Sequence, residues 1–260
     1  MIYTQKINRA IQLAVQAHEI DQKQKRKGKD VAYIIHPLNV GLILSLAGAS
    51  EDVVVAGILH DTIEDSIEDK KVTLASIIKE FGDDVAQLVM SVTEQDKSLS
   101  WRERKESAIN HIKDFSHESL LIKSADVISN VSELLVDYKN DGDKTFERFN
   151  ASKEELIKNQ LNIINAIHNR WEESPLGDDL LTIARDLQMI GAPSFMSKKP
   201  AFVIQYCDYK DDIALECPVC NWKGSPESGG QIDTDSEYCL SVSCPVCEKM
   251  LLVAEYPLAN

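Results

Sequence analysis

The stretch VVVAGILHDTIED, residues 53–65, decides the fold class of this 260-residue chain. Ser50, followed by Glu51 and Asp52, supplies a helix start. From Val53 to Ile63 the side chains are apolar nearly all round, the pattern of a helix at the centre of a bundle. Polar chemistry is written into its end as His60-Asp61-x-x-Glu64-Asp65. On a helix, four-residue spacing stacks His60 over Glu64 and Asp61 over Asp65. Three carboxylates buried side by side without a counter-charge are strongly unfavourable, and a bound divalent metal resolves that conflict. Imidazole and carboxylate oxygen suit Mn²⁺, Fe²⁺ or Zn²⁺. Further candidate ligands are His36, at a helix start before Pro37, and Asp126, an acid set among aliphatic residues 121–128.

Working outward from this segment, residues 1–172 read as helix after helix. Ile7, Ile11, Ala14 and His18 recur on one helical face, where His18 is a core or supporting histidine. Pro37 opens a helix over Leu38–Ala47 that Gly48 closes, and Thr73–Phe81 forms another, with Gly82 as its break. Ser100-x-x-Glu103 and Ser152-x-x-Glu155 have the form of capping boxes, and Leu120–Tyr138 is a long apolar-periodic helix between them. No alternating strand pattern interrupts this region. After Trp171 come a turn, a short helix over Asp178–Ile190, a loop, and a strand over Ala201–Tyr206. The sequence therefore predicts a mainly α protein, a helical bundle over 1–172, a linker with a short helix over 173–205, and a small β-rich module over 206–260.

The formal net charge is −14, and residues 206–260 carry half of it, with three Lys against five Asp and five Glu. Neither half is basic, which argues against binding a phosphate backbone by bulk electrostatics. No apolar run approaches the roughly 20 residues of a membrane span, and Met1–Lys6 lacks the apolar stretch of a signal peptide. The expectation is a cytoplasmic protein without a membrane partner.

All six cysteines lie at or beyond Cys207. Four of them form Cys217-Pro-Val-Cys220 and Cys244-Pro-Val-Cys247, with 23 residues between. Each pair aims two thiolates at one point, so two pairs complete a tetrahedral, closed, structural Zn²⁺ site of the zinc-ribbon kind. Cys207 and Cys239 lack partners at ligand spacing and read as ordinary buried thiols. The ribbon's acidity disfavours nucleic acid and leaves contact with a protein partner, self-association, or a lid over the helical domain.

The order Tyr33-x-x-His36-Pro37, His60-Asp61-x-x-Glu64-Asp65, Phe81-Gly82-x-x-Val85 and Lys123-x-x-Asp126 resembles the HD-domain metallohydrolases. Within them it is similar to the RelA/SpoT-type alarmone hydrolases, including the small single-domain ones. The resemblance covers roughly residues 5–172, and Trp101-Arg102-x-Arg104-Lys105 with Arg148-Phe149-Asn150 resembles the bacterial stand-alone members. It implies a helical bundle holding one divalent ion, often Mn²⁺, through His36, His60, Asp61 and Asp126. It implies that Glu64 and Asp65 position or activate the attacking water. The implied substrate is guanosine tetraphosphate or pentaphosphate, hydrolysed at the 3′ position to release pyrophosphate. Cations for such a substrate are available at Lys25, Arg26, Lys97, Arg104 and Arg148, and Asn130 fits the family pattern. Two departures bear on the base pocket. Val127 stands where relatives have a basic residue, and Lys158-Asn159-Gln160 stands where they have aromatic residues. Two other functions compete: an HD hydrolase for another phosphorylated nucleotide, and a non-catalytic nucleotide-sensing adaptor that recruits a partner through the ribbon.

Overall fold

Three helices open the chain: α1 (Gln5–Val15), α2 (Ile35–Leu46) and α3 (Glu51–Leu59). The computed structural model describes residues 3–93, 101–191, 202–218, 220–234, 239–246 and 249–256, without the side chains of Trp101, Arg102 and Glu106. Every residue from Val53 to Leu59 is buried, and α3 packs against α1, α2 and two later helices. Its start is capped by the Ser50 hydroxyl, which accepts from the Val53 N–H. Two glycines let α2 and α3 approach closely. A Cβ on Gly57 would sit 2.3 Å from Leu44 Cδ1, and one on Gly41 would sit 2.5 Å from Ile58 Cγ1. Because α2 and α3 are joined by a short turn, the start of α2 and the end of α3 lie together. That places His36 beside His60.

The central helix is shorter than its apolar pattern predicts. It stops at Leu59, and a separate turn, α4 (Thr62–Asp65), follows. The physical reason lies in the side chains. His60 Nδ1 donates to the Gly57 carbonyl at 2.8 Å, and the Thr62 hydroxyl donates to the Leu59 carbonyl at 2.7 Å. These bonds satisfy carbonyls at the helix end that a continuing helix would have used. The stacking of Asp61 and Asp65 survives as an Asp65 N–H to Asp61 carbonyl bond of 2.9 Å.

Next come α5 (Leu74–Phe81), α6 (Asp83–Val92), α7 (Trp101–His111), α8 (His117–Asp141), α9 (Lys153–Arg170) and α10 (Gly177–Gly191). Gly82 breaks the chain at φ 94°, and α6 restarts at once, a helix the sequence reading did not name. The capping box at Ser152 and Glu155 is formed, whereas Ser100 lies outside the described residues. α8 is longer than the predicted Leu120–Tyr138 and packs against α2, α3, α6 and α9.

The chain divides into two compact units, Met1–Leu187 and Gln188–Asn260. The division falls inside the 173–205 segment read as linker, because Leu176, Leu180, Ile183 and Leu187 are buried. The second unit holds a four-stranded sheet in the order β1-β6-β5-β4, made of β1 (Phe202–Gln205), β4 (Gln231–Asp233), β5 (Cys239–Ser243) and β6 (Met250–Glu255). β1 runs parallel to β6, and the other pairs are antiparallel. A small hairpin of β2 (Leu215–Glu216) and β3 (Lys223–Gly224) completes it. The unit's core is Leu215, Leu240, Val242, Leu251, Leu252 and Ala254 together with Cys217 and Cys244. Cys207, in contrast to the buried thiol expected from the sequence, is exposed, because it sits in a surface turn after β1; Cys239 is half-buried. Among the described residues no helix is long and apolar enough to cross a membrane.

Candidate active site

His36 lies in the first turn of α2, His60 caps α3, Asp61 follows it, and Asp126 comes from the middle of α8. One ligand atom each from His36, His60 and Asp126 falls within 4.8 Å of the others. His36 Nε2 is 3.3 Å from Asp126 Oδ1 and 3.7 Å from Asp61 Oδ2, while His60 Nε2 is 3.0 Å from Asp61 Oδ2. Both rings are held from behind. His36 Nδ1 is bonded to the Ser129 hydroxyl at 3.0 Å, and His60 Nδ1 is committed to Gly57. The Nε2 atoms are thereby left to face the carboxylates, the arrangement that fixes ring orientation in metal sites.

Does this set fit a divalent ion? His60 Nε2 is buried and, although it lies 3.0 Å from Asp61 Oδ2, makes no well-aligned hydrogen bond. A buried polar atom without a partner is costly. A lone pair aimed at two carboxylates and a second imidazole is the donor set of a hard-to-borderline cation. Without a metal, the same carboxylates favour a proton on that imidazole. Burial opposes charge on His60, yet Asp61 beside it outweighs this and pushes the imidazole up to about 9. Burial would raise Asp61 and Asp126, but the histidines hold Asp61 down, and Lys123 with the histidines holds Asp126 well down. The pocket thus stabilises positive charge at its centre, and the residues fit a metal.

The carboxylates are also steered. The Tyr33 hydroxyl donates to Asp61 Oδ2, and burial with the nearby Asp61 and Asp65 charges pushes the phenol up. Asp126 accepts from Lys123 at 2.8 Å and from the Asn130 amide at 2.6 Å. The two acidic residues of α4 part company. Glu64 lines a cleft of about 200 Å³ with His60, Asp61 and Asp126, whereas Asp65 turns to the loop after α1 and accepts from Gln24 at 2.9 Å.

Arg104, Lys105 and Lys123 line the same cleft as the histidine–aspartate cluster. Lys25, Arg26, Asn130 and Arg148 instead line a second cavity of about 360 Å³, with Tyr33 and Phe149. The cations there are engaged within the chain: Arg26 with Glu133 and Asn130, Arg148 with Asp137, Lys25 with Asp30. Lys29 joins this network through Glu133 and Asp137. The sequence reading missed Lys29, Glu133 and Asp137. A signal existed, since Asp126, Asn130, Glu133 and Asp137 recur at helical spacing as a polar stripe on α8. Lys97 and Cys247 lie outside the described residues.

In the second unit, Cys217, Cys220 and Cys244 bring their sulfurs within 4.8 Å of one another. The two cysteine turns share one construction. Each first cysteine directly follows a strand, and the return strand begins six residues later. In each, the first cysteine's N–H donates to the carbonyl five residues on: Cys217 to Trp222 and Cys244 to Lys249, both at 2.8 Å. Cys220 Sγ and Cys244 Sγ are 3.4 Å apart, and the described cysteines form no disulfide. Three converging thiols on matched turns fit a thiophilic cation.

These features define a class of protein: a helical bundle with a buried histidine–aspartate cluster suited to a metal, opening on a cleft lined by both acidic and basic side chains. Residues 10–152 match the HD domain family model, more than half of the chain, and the chain belongs to that family. It is 38% identical over 121 residues to a guanosine-3′,5′-bis(diphosphate) 3′-pyrophosphohydrolase of Danio rerio, a match covering 45% of this chain and 64% of that protein. It is 35% identical over 136 residues to an enzyme of that name from Aquifex aeolicus, covering 52% of this chain and 18% of the relative. The chain thus spans a little under two thirds of the curated animal relative it matches. Among solved structures, it resembles one described as a metazoan ortholog of SpoT that hydrolyzes ppGpp, at a TM-score of 0.57 and 28% identity, covering 71% of this chain and 97% of that one. It also resembles a Listeria monocytogenes protein at a TM-score of 0.54 and 34% identity, covering 61% of this chain and 99% of the other.

Proposed function

We propose that the chain is a metal-dependent phosphohydrolase that cleaves guanosine tetraphosphate or pentaphosphate at the 3′ position and releases pyrophosphate. The observation that carries this reading is the cluster of His36, His60, Asp61 and Asp126 in contact with a cleft that also holds Glu64, Arg104, Lys105 and Lys123. The activity for which the Danio rerio and Aquifex aeolicus relatives are named suggests the substrate. In this reading His36, His60, Asp61 and Asp126 hold Mn²⁺, which when bound polarises a phosphoryl oxygen and lowers the pKa of bound water.

The chain's own groups do the rest. Glu64 accepts a proton from the attacking water and fixes its approach, and Asp65, held by Gln24 and Gln22, anchors the turn that carries Glu64. The water oxygen forms a bond to phosphorus, the bond to the 3′ oxygen breaks with its electron pair staying on that oxygen, and the oxygen takes up a proton from solvent as Glu64 returns its own. Arg104 and Lys97 bind the charge of the departing pyrophosphate, where fixed cations act most strongly. Lys25, Arg26, Asn130 and Arg148 form the nucleotide side of the site, with Arg26 and Arg148 braced by Asn130 and Asp137.

Zn²⁺ is the ion of the thiol cluster in this reading, with Cys247 as its fourth ligand. All four positions are then filled by protein, so the site is structural. The ribbon serves contact with a protein partner or a second copy, and a cytoplasmic setting keeps its thiols reduced. The test is to incubate the purified chain and Mn²⁺ with guanosine tetraphosphate and with a nucleotide panel. Pyrophosphate release from the former is expected. Turnover of another nucleotide alone would replace the substrate, and binding without any turnover would leave a sensing adaptor.

A further inference from the structure

α1 runs into a π-helical segment, Gln16–Ile20, whose wide turn carries the buried His18. Such turns recur at functional sites. Lys23 then adopts a left-handed conformation at φ 48°, which brings the Gln24 N–H to the His18 carbonyl at 2.7 Å. The two side chains meet as well, His18 Nδ1 to Gln24 Oε1 at 2.7 Å. From there the amide reaches forward, Gln24 Nε2 to Asp65 Oδ2 at 2.9 Å. Gln22 holds the same residue by its main chain, donating to the Asp65 carbonyl at 2.8 Å.

The polarity of this chain of bonds is determined at its acidic end. A carboxylate only accepts, so Gln24 must turn its NH₂ to Asp65 and its oxygen to His18. His18 must then carry its proton on Nδ1. Its Nε2 is buried without a partner, a position better suited to a bare lone pair than to an unsatisfied N–H. Gln24 has a further link to the cluster, since its carbonyl accepts from the Tyr33 N–H at 2.8 Å and Tyr33 donates to Asp61.

We propose that His18 and Gln24 are positioning residues for Asp65: the Nδ1–H of His18 fixes the Gln24 amide so that its NH₂, rather than its oxygen, faces the carboxylate. The inference deepens the hydrolase reading and rests on it for its kinetic consequence. Without His18 the amide oxygen keeps only a long contact from Gln22 Nε2, at 3.4 Å, and can turn toward Asp65, where two acceptors repel and the carboxylate moves. Misplacement on the ångström scale costs up to about 100-fold in rate.

The experiment compares His18→Leu, which has no donor, with His18→Asn, whose amide nitrogen can occupy the place of Nδ1. With Mn²⁺ and guanosine tetraphosphate, His18→Leu and Gln24→Leu should each lower kcat roughly 10- to 100-fold and leave KM within about threefold. His18→Asn should recover most of the loss. Placed on Asp65→Asn, His18→Leu should cost under about threefold more, because the group it positions is already gone. Additive losses, or a His18→Asn variant as impaired as His18→Leu, would reduce the pair to core packing and overturn the proposal. A second measurement needs no turnover. Nitrogen-15 spectra of the histidine side chains at pH 8 should show wild-type His18 in the Nδ1–H form, lost in Gln24→Leu. An Nε2–H form overturns the positioning inference whatever the substrate is. A wild-type chain with the Nδ1–H form that leaves guanosine tetraphosphate intact overturns the substrate reading and not the bond polarity.

Discussion

Among the described residues the chain carries two clusters suited to metal, one in each unit, and they are built in opposite ways. The histidine–aspartate cluster gathers residues from positions 36 to 126, each set by a helix in or beside the apolar core. The thiol cluster is made by two local turns, and Cys217 and Cys244 are themselves part of a core of eight buried residues. The first unit has an extensive apolar core around α3 that holds the ligand geometry in advance. The second is small, and small units commonly need a metal or disulfides to stay folded. A site held by its fold should lose function when its metal goes, whereas a site that holds its fold should lose structure.

The largest expected effect is therefore in the second unit. Structural zinc contributes about 10–16 kcal/mol of apparent free energy in small zinc-dependent folds. Cys244→Ser should unfold residues 202–256, seen as loss of amide dispersion for that segment, while helical circular dichroism remains. Turnover should stay within about threefold if the first unit stands by itself. Retained strand signals after complete zinc removal would break the comparison from this side.

In the first unit, Asp61→Ala or Asp126→Ala should abolish binding of the Mn²⁺ ion and lower kcat/KM at least about 1,000-fold, with zinc content and melting behaviour retained. Metal analysis showing unchanged manganese would refute the ligand assignment. Glu64→Gln should cost less, about 10²–10³-fold in kcat, with metal and nucleotide binding intact, as expected for a group that handles the water's proton. Full activity in that variant would remove Glu64 from the reaction.

The same contrast explains what was legible in the sequence. The thiol turns are local, so residue spacing was enough to bring Cys217, Cys220 and Cys244 together, while the strands beside them were legible only as a β-rich module. α3 was equally plain because it is apolar all round, and that property alone requires the bundle's centre. Its end was not legible. The break after Leu59 comes from His60 and Thr62 bonding back to carbonyls, a choice that periodicity does not contain. α6 was missed because Gly82 reads as punctuation, although it only separates two helices. The parting of Glu64 and Asp65 depends on Gln22 and Gln24, some 40 residues away in sequence. Arg26 and Arg148 were read as cations for substrate, and their ion pairs with Glu133 and Asp137 became visible only when α8 was laid beside the loop before α2.

That ion-pair network sets the smallest and most specific expectation, a pH dependence confined to the first unit. Burial alone would raise Glu133 and Asp137. Hydrogen bonds from Arg26 and Lys29 to Glu133, and from Lys29 and Arg148 to Asp137, outweigh it and hold both carboxyls below their ordinary values. A carboxyl whose value is lowered on folding binds its proton more readily in the unfolded chain. Its stabilising contribution is therefore complete above the ordinary carboxylate range, near pH 4–5, and is lost as pH falls through the lower folded values. Thermal melts of the first unit should be flat in this respect from pH 6 to 8 and fall below about pH 4.5. Glu133→Gln should flatten that acid limb and lower the melting temperature at neutral pH by only a few degrees, because these pairs are partly solvated. The thiol cluster supplies the control: its acid lability follows protonation of cysteine and release of zinc, so Glu133→Gln should leave zinc release against pH unchanged. A parallel shift of both limbs would mean that the two regions do not respond independently.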